Sequence, residues 1–169
     1  MRKVLCVLLA CMLLTGCSVG LAQHPTETIA RSQQLAILSV DELTFTLPGT
    51  FELRDTSDFD FFVADGNAHT VLGWKHNKES LGEMTLQQFA SQTVSNRKDM
   101  VLPLQERDGF WVYSFKTDRG DGGYIMFFGL CLETEDAFWE IQGSCPEEDV
   151  ETYEDQIWSW LTSVTVNEG

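Results

Sequence analysis

Residues 124–132, Tyr-Ile-Met-Phe-Phe-Gly-Leu-Cys-Leu, constrain the fold more than any other stretch of this 169-residue chain. Extended backbone sends alternate side chains to opposite faces. Tyr124, Met126, Phe128, Leu130 and Leu132 fall on one side, and Ile125, Phe127 and Cys131 on the other. A strand that is apolar on both sides needs a layer over each, so it takes a central place in a covered sheet. The composition supplies the material, with 43% hydrophobic and 11% aromatic residues. The length suits one ordinary domain with a core and excludes two large ones.

Around this strand the pattern is a meander: 101–106, a turn at Asp108-Gly109, 110–117, a glycine-rich loop over 118–123, then 124–132 and 137–143. Four antiparallel strands follow from it. Upstream, 35–40, 43–47, 51–53, 59–64 and 70–76 read as further strands, with stops at Pro48-Gly49 and a turn at Asp65-Gly66-Asn67. Thr85 and Gln88 form a capping box, and Met84 and Phe89 a hydrophobic staple, so a helix begins there and docks by Leu86, Phe89 and Ala90. Pro146 at the first helical position and the acidic Glu147-Glu148 predict a last helix from Cys145-Pro146 onward. Its buried stripe is Val150, Tyr153, Ile157 and Leu161, with Trp158 turned away from it and partly exposed. Residues 163–166 add an edge strand.

The chain opens with Met1-Arg2-Lys3, an apolar run from Val4 to Leu14, and Leu14-Thr15-Gly16-Cys17. The run is too short to span a bilayer, which takes roughly 20 helical residues. Leu-x-Gly-Cys resembles the lipobox of bacterial lipoproteins, which implies cleavage after Gly16 and lipidation of Cys17. The expected organisation is a signal peptide over 1–16, lipidated Cys17 and a flexible tether over 17–34, and one domain over 35–169. The location implied is the cell membrane, lipid-anchored and facing the extracytoplasmic side, with acyl chains contributing about 0.8 kcal/mol per buried CH₂. The formal charge is −15, and loss of Arg2 and Lys3 takes it to −17, which excludes nucleic acid as a natural partner.

Cys6 and Cys11 leave with the leader, so Cys131 and Cys145 remain beside Cys17. A hairpin about Glu133–Asp136 sets residue 131 opposite about 138 and leaves Cys145 seven positions further along, more than about 20 Å away. A disulfide needs a Cα separation of roughly 4.4–6.8 Å, so two unpaired thiols are expected.

The order of elements carries a resemblance. A strand ending Phe45-Thr46-Leu47-Pro48, a hairpin, a capped helix, a meander begun at Asp108-Gly109 and a closing helix bearing Tyr153 after Gly143-Ser144-Cys145-Pro146-Glu147 resemble the PsbP-like fold family, in particular the DcrB-like bacterial lipoproteins, over about residues 35–166. The resemblance implies an α+β fold with a central antiparallel sheet and helices packed on both faces, an α/β/α sandwich. It also implies a binding or assembly role, as for the photosystem subunit and a Ran-binding transport factor, with no general catalytic site. No partner motif of the family matches here residue by residue.

Chemistry-bearing constellations are sparse. His69 and His76 lie seven apart on one strand and point to opposite faces, which does not make a zinc site. Asp118 and Asp121 flank a glycine-rich loop without EF-hand spacing and read first as turn carboxylates. Gly143-Ser144-Cys145 lacks a nucleophile elbow. No catalytic residue, metal or cofactor is therefore assigned. The aromatic row Trp111, Tyr113 and Phe115, extended by Trp139 and Trp74, is either core or the wall of a groove. The expectation is a membrane-anchored lipoprotein with a non-catalytic binding domain that meets another envelope protein through Trp158, Asp118, Asp121, Trp111 and Tyr113. The alternative is a lipoprotein that binds a small ligand or a divalent ion in a closed apolar or carboxylate-lined pocket.

Overall fold

The computed structural model describes residues 34–66 and 68–167. The leader, Cys17, all but the last residue of the tether, and Asn67 lie outside the described residues. In chain order the elements are β1 (Leu35–Val40), β2 (Leu43–Pro48), β3 (Glu52–Leu53), β4 (Phe61–Ala64), β5 (Thr70–Asn77), α1 (Lys78–Leu81), α2 (Leu86–Val94), β6 (Met100–Arg107), β7 (Phe110–Asp118), β8 (Tyr124–Glu133), β9 (Ala137–Pro146), a 3-10 turn over Glu147–Asp149, α3 (Val150–Thr162) and β10 (Thr165–Val166). Among the described residues no helix is long and apolar enough to cross a membrane.

The fold is sheet-rich α+β. Seven strands run in the order β3-β4-β5-β9-β8-β7-β6, and three form a second sheet in the order β1-β2-β10. The two-sided strand β8 is interior, antiparallel to β7 and β9. Asp108 and Gly109 both take positive φ, +52° and +85°, the geometry a tight two-residue hairpin turn requires.

Alternation along β7, β8 and β9 feeds two apolar clusters. One gathers Val112, Met126, Phe128, Leu130, Trp139, Ile141 and Cys145 with Leu43, Phe45 and Leu47 of β2 and Ile157 and Leu161 of α3. The other gathers Tyr113, Phe115, Cys131 and Phe138 with Phe89 and Ala90 of α2. The second sheet departs from the single sheet expected of the sequence. Pro48-Gly49 ends β2, and its buried row Leu43, Phe45 and Leu47 lies across the first cluster, with Phe45 5.3 Å from Phe61. The segment therefore covers the large sheet instead of extending its edge.

One boundary and one register are corrected. The last helix does not begin at Pro146: β9 runs on to it, with Ser144, Cys145 and Pro146 opposite Phe127, Met126 and Ile125, and α3 starts at Val150. Proline is tolerated there because it closes the ladder and needs no donor beyond it. The β8–β9 register also differs by two residues, since Glu133 faces Phe138 and Cys131 faces Glu140. Both cysteines are free and buried, and they lie in different clusters. The capped helix forms as its sequence specifies: Thr85 accepts from the Gln88 N–H, and the Gln88 side chain accepts from the Thr85 N–H.

Candidate functional site

One cavity, of about 590 Å³, opens where the Asp41-Glu42 turn, the Thr134–Asp136 turn, β5 and β10 converge at one end of the sheets. Glu42, Lys75, Thr134, Glu135, Asp136, Val166 and Asn167 line it, and the volume lies within the span of small-molecule sites. Glu42 organises its lining. Burial alone would push this carboxyl up, but donations from Lys75 Nζ at 2.7 Å, Trp139 Nε1 at 2.8 Å and Thr134 Oγ1 at 3.1 Å outweigh that and hold it down at about 2. Lys75 is pushed up in turn by the same contact, and it also donates to Asp41 at 3.3 Å. The result is a fixed ion pair in the lining of a predominantly acidic cavity.

A second polar group sits beneath α2. Glu140 faces Cys131 across β8–β9, and one oxygen, Oε1, accepts from Tyr113 Oη at 2.5 Å, Gln142 Nε2 at 2.5 Å and Arg97 at 2.9 Å. Burial, followed by the Glu140 charge, pushes the Tyr113 hydroxyl well up, so Tyr113 is a hydrogen-bond donor and not a titrating group. Burial and Glu140 likewise push the Cys131 thiol up. This arrangement fixes a carboxylate and removes nucleophilic character from its neighbours.

His69 is 1% exposed and stacks 4.1 Å from Tyr153. Its Nδ1 meets Asp65 Oδ2 at 2.9 Å, while Nε2 is buried without a hydrogen-bond partner, 4.0 Å from Asp149. His76 packs instead on Phe89 of the other cluster. Burial and the acidic residues Asp149, Glu154 and Glu148 push the Cys145 thiol up to about 11. Among the described residues no three His, Cys, Asp or Glu side chains stand ready to hold a metal ion.

The residues singled out from sequence do not converge. Tyr113 is fully buried, so it lines no open groove. Trp111 flanks the α2 cluster, whereas Trp158 and Trp139 belong to the α3 cluster. Trp158 is half-buried, edge-on to Phe128 with the Arg107 guanidinium 5.6 Å over its ring. Asp118 accepts from the Gly120 N–H, and Asp121 accepts from Arg119 and the Gly123 N–H. Arg119 also reaches Glu148, which pins the 118–123 loop to the turn before α3. Sequence reasoning missed both Glu42 and Glu140. Neither spacing nor neighbours distinguish them from the other acidic residues, because their donors arrive from distant strands.

No protein-family model matches the sequence, and no curated protein matches it. Solved structures do. The solution structure of cyanobacterial PsbP (CyanoP) from Synechocystis superposes with a TM-score of 0.52 at 14% identity, covering 90% of this chain and 98% of that one. A crystal structure from Bacteroides thetaiotaomicron gives 0.52 at 11% identity over 81% of this chain, which spans about half (49%) of that protein's length. LpqN of Mycobacterium tuberculosis, described as involved in cell envelope biogenesis, gives 0.49 at 13% identity over 85% of this chain and 97% of its own.

Proposed function

We propose that this chain, whose fold is PsbP-like, is a lipoprotein held to the extracytoplasmic face of the cell membrane through Cys17, and that its domain binds an envelope protein and carries out no chemistry. The helices α2 and α3, each seated on its own cluster, are read as the outer layers of an α/β/α sandwich. The observation that carries the non-catalytic reading is the state of the reactive groups: both thiols are buried and pushed up, and the best-held carboxylates, Glu42 and Glu140, are each bound by three protein donors. Such groups stabilise a scaffold and offer little to a reacting substrate. The surface proposed for the partner is the accessible part of Trp158 on α3 with the 118–123 loop, Asp118 and Asp121, which Arg119 fastens to Glu148 just before that helix; Trp111 flanks the α2 cluster and lies outside it.

Mild crosslinking in native membranes followed by purification tests this. A specific partner is expected with the parent chain and reduced recovery with Trp158→Ala combined with Asp118→Asn and Asp121→Asn. Equal recovery from both proteins, or no partner from either, contradicts it.

A specific observation favours a second reading, that the domain binds a small ligand: the cavity lined by Glu42, Glu135 and Asp136 is carboxylate-rich and large enough for one. A thermal shift with organic amines that disappears in Asp136→Asn supports this reading, and an unchanged melting temperature across the series argues against it.

A further inference from the structure

An unpaired strand edge presents a row of N–H and C=O groups that templates pairing with another chain, and proteins ordinarily shorten, bulge or charge such edges. Three of the four sheet edges among the described residues are treated in this way. β3 has two residues, and its Glu52 pairs with Arg54 at 3.0 Å. β10 has two residues and leads into Asn167, whose N–H donates to the Glu42 carbonyl. β6 contains Pro103, breaks register twice and ends in Glu106 and Arg107. The fourth edge, β1, has no further strand on it among the described residues. Leu35–Val40 holds no proline and no charge, pairs with β2 in unbroken register, and leaves Leu35 65% and Ile37 76% exposed.

The direction of the free groups follows from the ladder. The Gly49 N–H donates to the Gln34 carbonyl at 2.6 Å, next to the Leu35–Pro48 pair. Bonded and non-bonded pairs alternate in an antiparallel ladder, so Ala36, Leu38 and Val40 turn their main chain toward β2 while Leu35, Ile37 and Ser39 turn theirs outward. Pro48, which has no N–H, stands opposite Leu35 at a non-bonded position, as that alternation requires. The residues with free main-chain groups are therefore the same ones whose side chains stand on the outer face.

We propose that the occupant of this edge is β1 of a second copy of the chain, paired antiparallel about a two-fold axis through Ile37. That register sets Ile37 opposite its own mate and Leu35 opposite Ser39 of the second copy, keeps both outer faces on one side, and joins two three-stranded sheets into one of six. Charge opposes a meeting of two copies least at this strand. At a formal −15, two copies that meet elsewhere bring carboxylates together, whereas β1 is neutral and the acids that follow it in sequence, Asp41 and Glu42, lie past its end and are held by Lys75. The chain enters β1 directly from its N-terminal stretch, so copies anchored through Cys17 share one surface at raised local concentration. Only this concentration effect rests on the anchoring reading, and the pairing itself does not.

Oxidation of Ile37→Cys in the full chain, purified in detergent, tests the register, with Val101→Cys as the exposed control on β6 and the parent chain as the control for Cys17. A disulfide-linked dimer specific to Ile37→Cys is expected, together with loss of the non-covalent dimer by tenfold or more in affinity in Ile37→Lys, whose exposed site leaves folding intact by circular dichroism. A monomeric parent chain overturns the proposal, as does a dimer that survives Ile37→Lys or a crosslink from position 37 to a different protein. Detergent-phase partitioning reads anchoring separately, so a dimer without a lipid leaves the pairing standing.

Discussion

Glu42 shows how a single residue ties three parts of the molecule together. Its carboxylate receives Lys75 from β5, Trp139 from β9 and Thr134 from the hairpin turn. A carboxyl held near 2 in the folded state and near its usual value in the unfolded chain contributes stability that is fully present above about pH 4.5 and fades as pH falls toward 2. Glu42→Gln is expected to lower stability at pH 7 by about 1–2 kcal/mol, allowing for partial solvent screening, and to flatten the acid limb between those values. Denaturant titrations at a series of pH values check this, and parallel curves for the two proteins contradict it. Gly129 makes a steric test. A Cβ there falls 2.2 Å from the Tyr113 ring that donates to Glu140, so Gly129→Ala is expected to cost about 1–3 kcal/mol by overpacking, and an unchanged denaturation midpoint contradicts that contact. At this scale the sequence was least informative. Tyr113 was readable as an inward or outward aromatic, but nothing near it in the chain announces Glu140, which lies 27 residues away.

Elements with local signals were readable, and those that depend on distant pairing were not. Thr85 and Gln88 specify the start of α2 within four residues, and both bonds of the capping box are made. Thr85→Ala is expected to lower stability by about 1 kcal/mol, while Thr85→Ser keeps most of it; equal loss from both contradicts the cap. Pro146 carried a true signal for a helix start, but Ser144 and Cys145 gain β8 partners, and this tertiary pairing carries β9 three residues further than the chain alone suggests. The 118–123 loop has glycine for mobility and Asp for turn geometry, yet Arg119 fastens it to Asp121 and Glu148. Arg119→Ala is expected to speed amide exchange at Gly120 and Gly123 while leaving global stability unchanged. Equal exchange in both proteins contradicts the fastening role.

For the whole molecule, the two-sided apolar strand decided the layering. Its interior place in the sheet and the two clusters that flank it follow from the alternation of residues 124–132. That β1, β2 and β10 form a sheet of their own was not readable, because a strand pattern states which face is buried and not which neighbour covers it. The formal charge of −15 acts at this scale too. Self-repulsion opposes the compact state, so raising salt from low ionic strength is expected to raise the melting temperature. The proposed lipid tether of the PsbP-like domain is read out by intact-mass analysis of the protein taken from its native membrane. A chain that begins at Cys17 and carries a diacylglyceryl mass is expected. A chain cleaved elsewhere, or one beginning at Cys17 without added lipid, contradicts it.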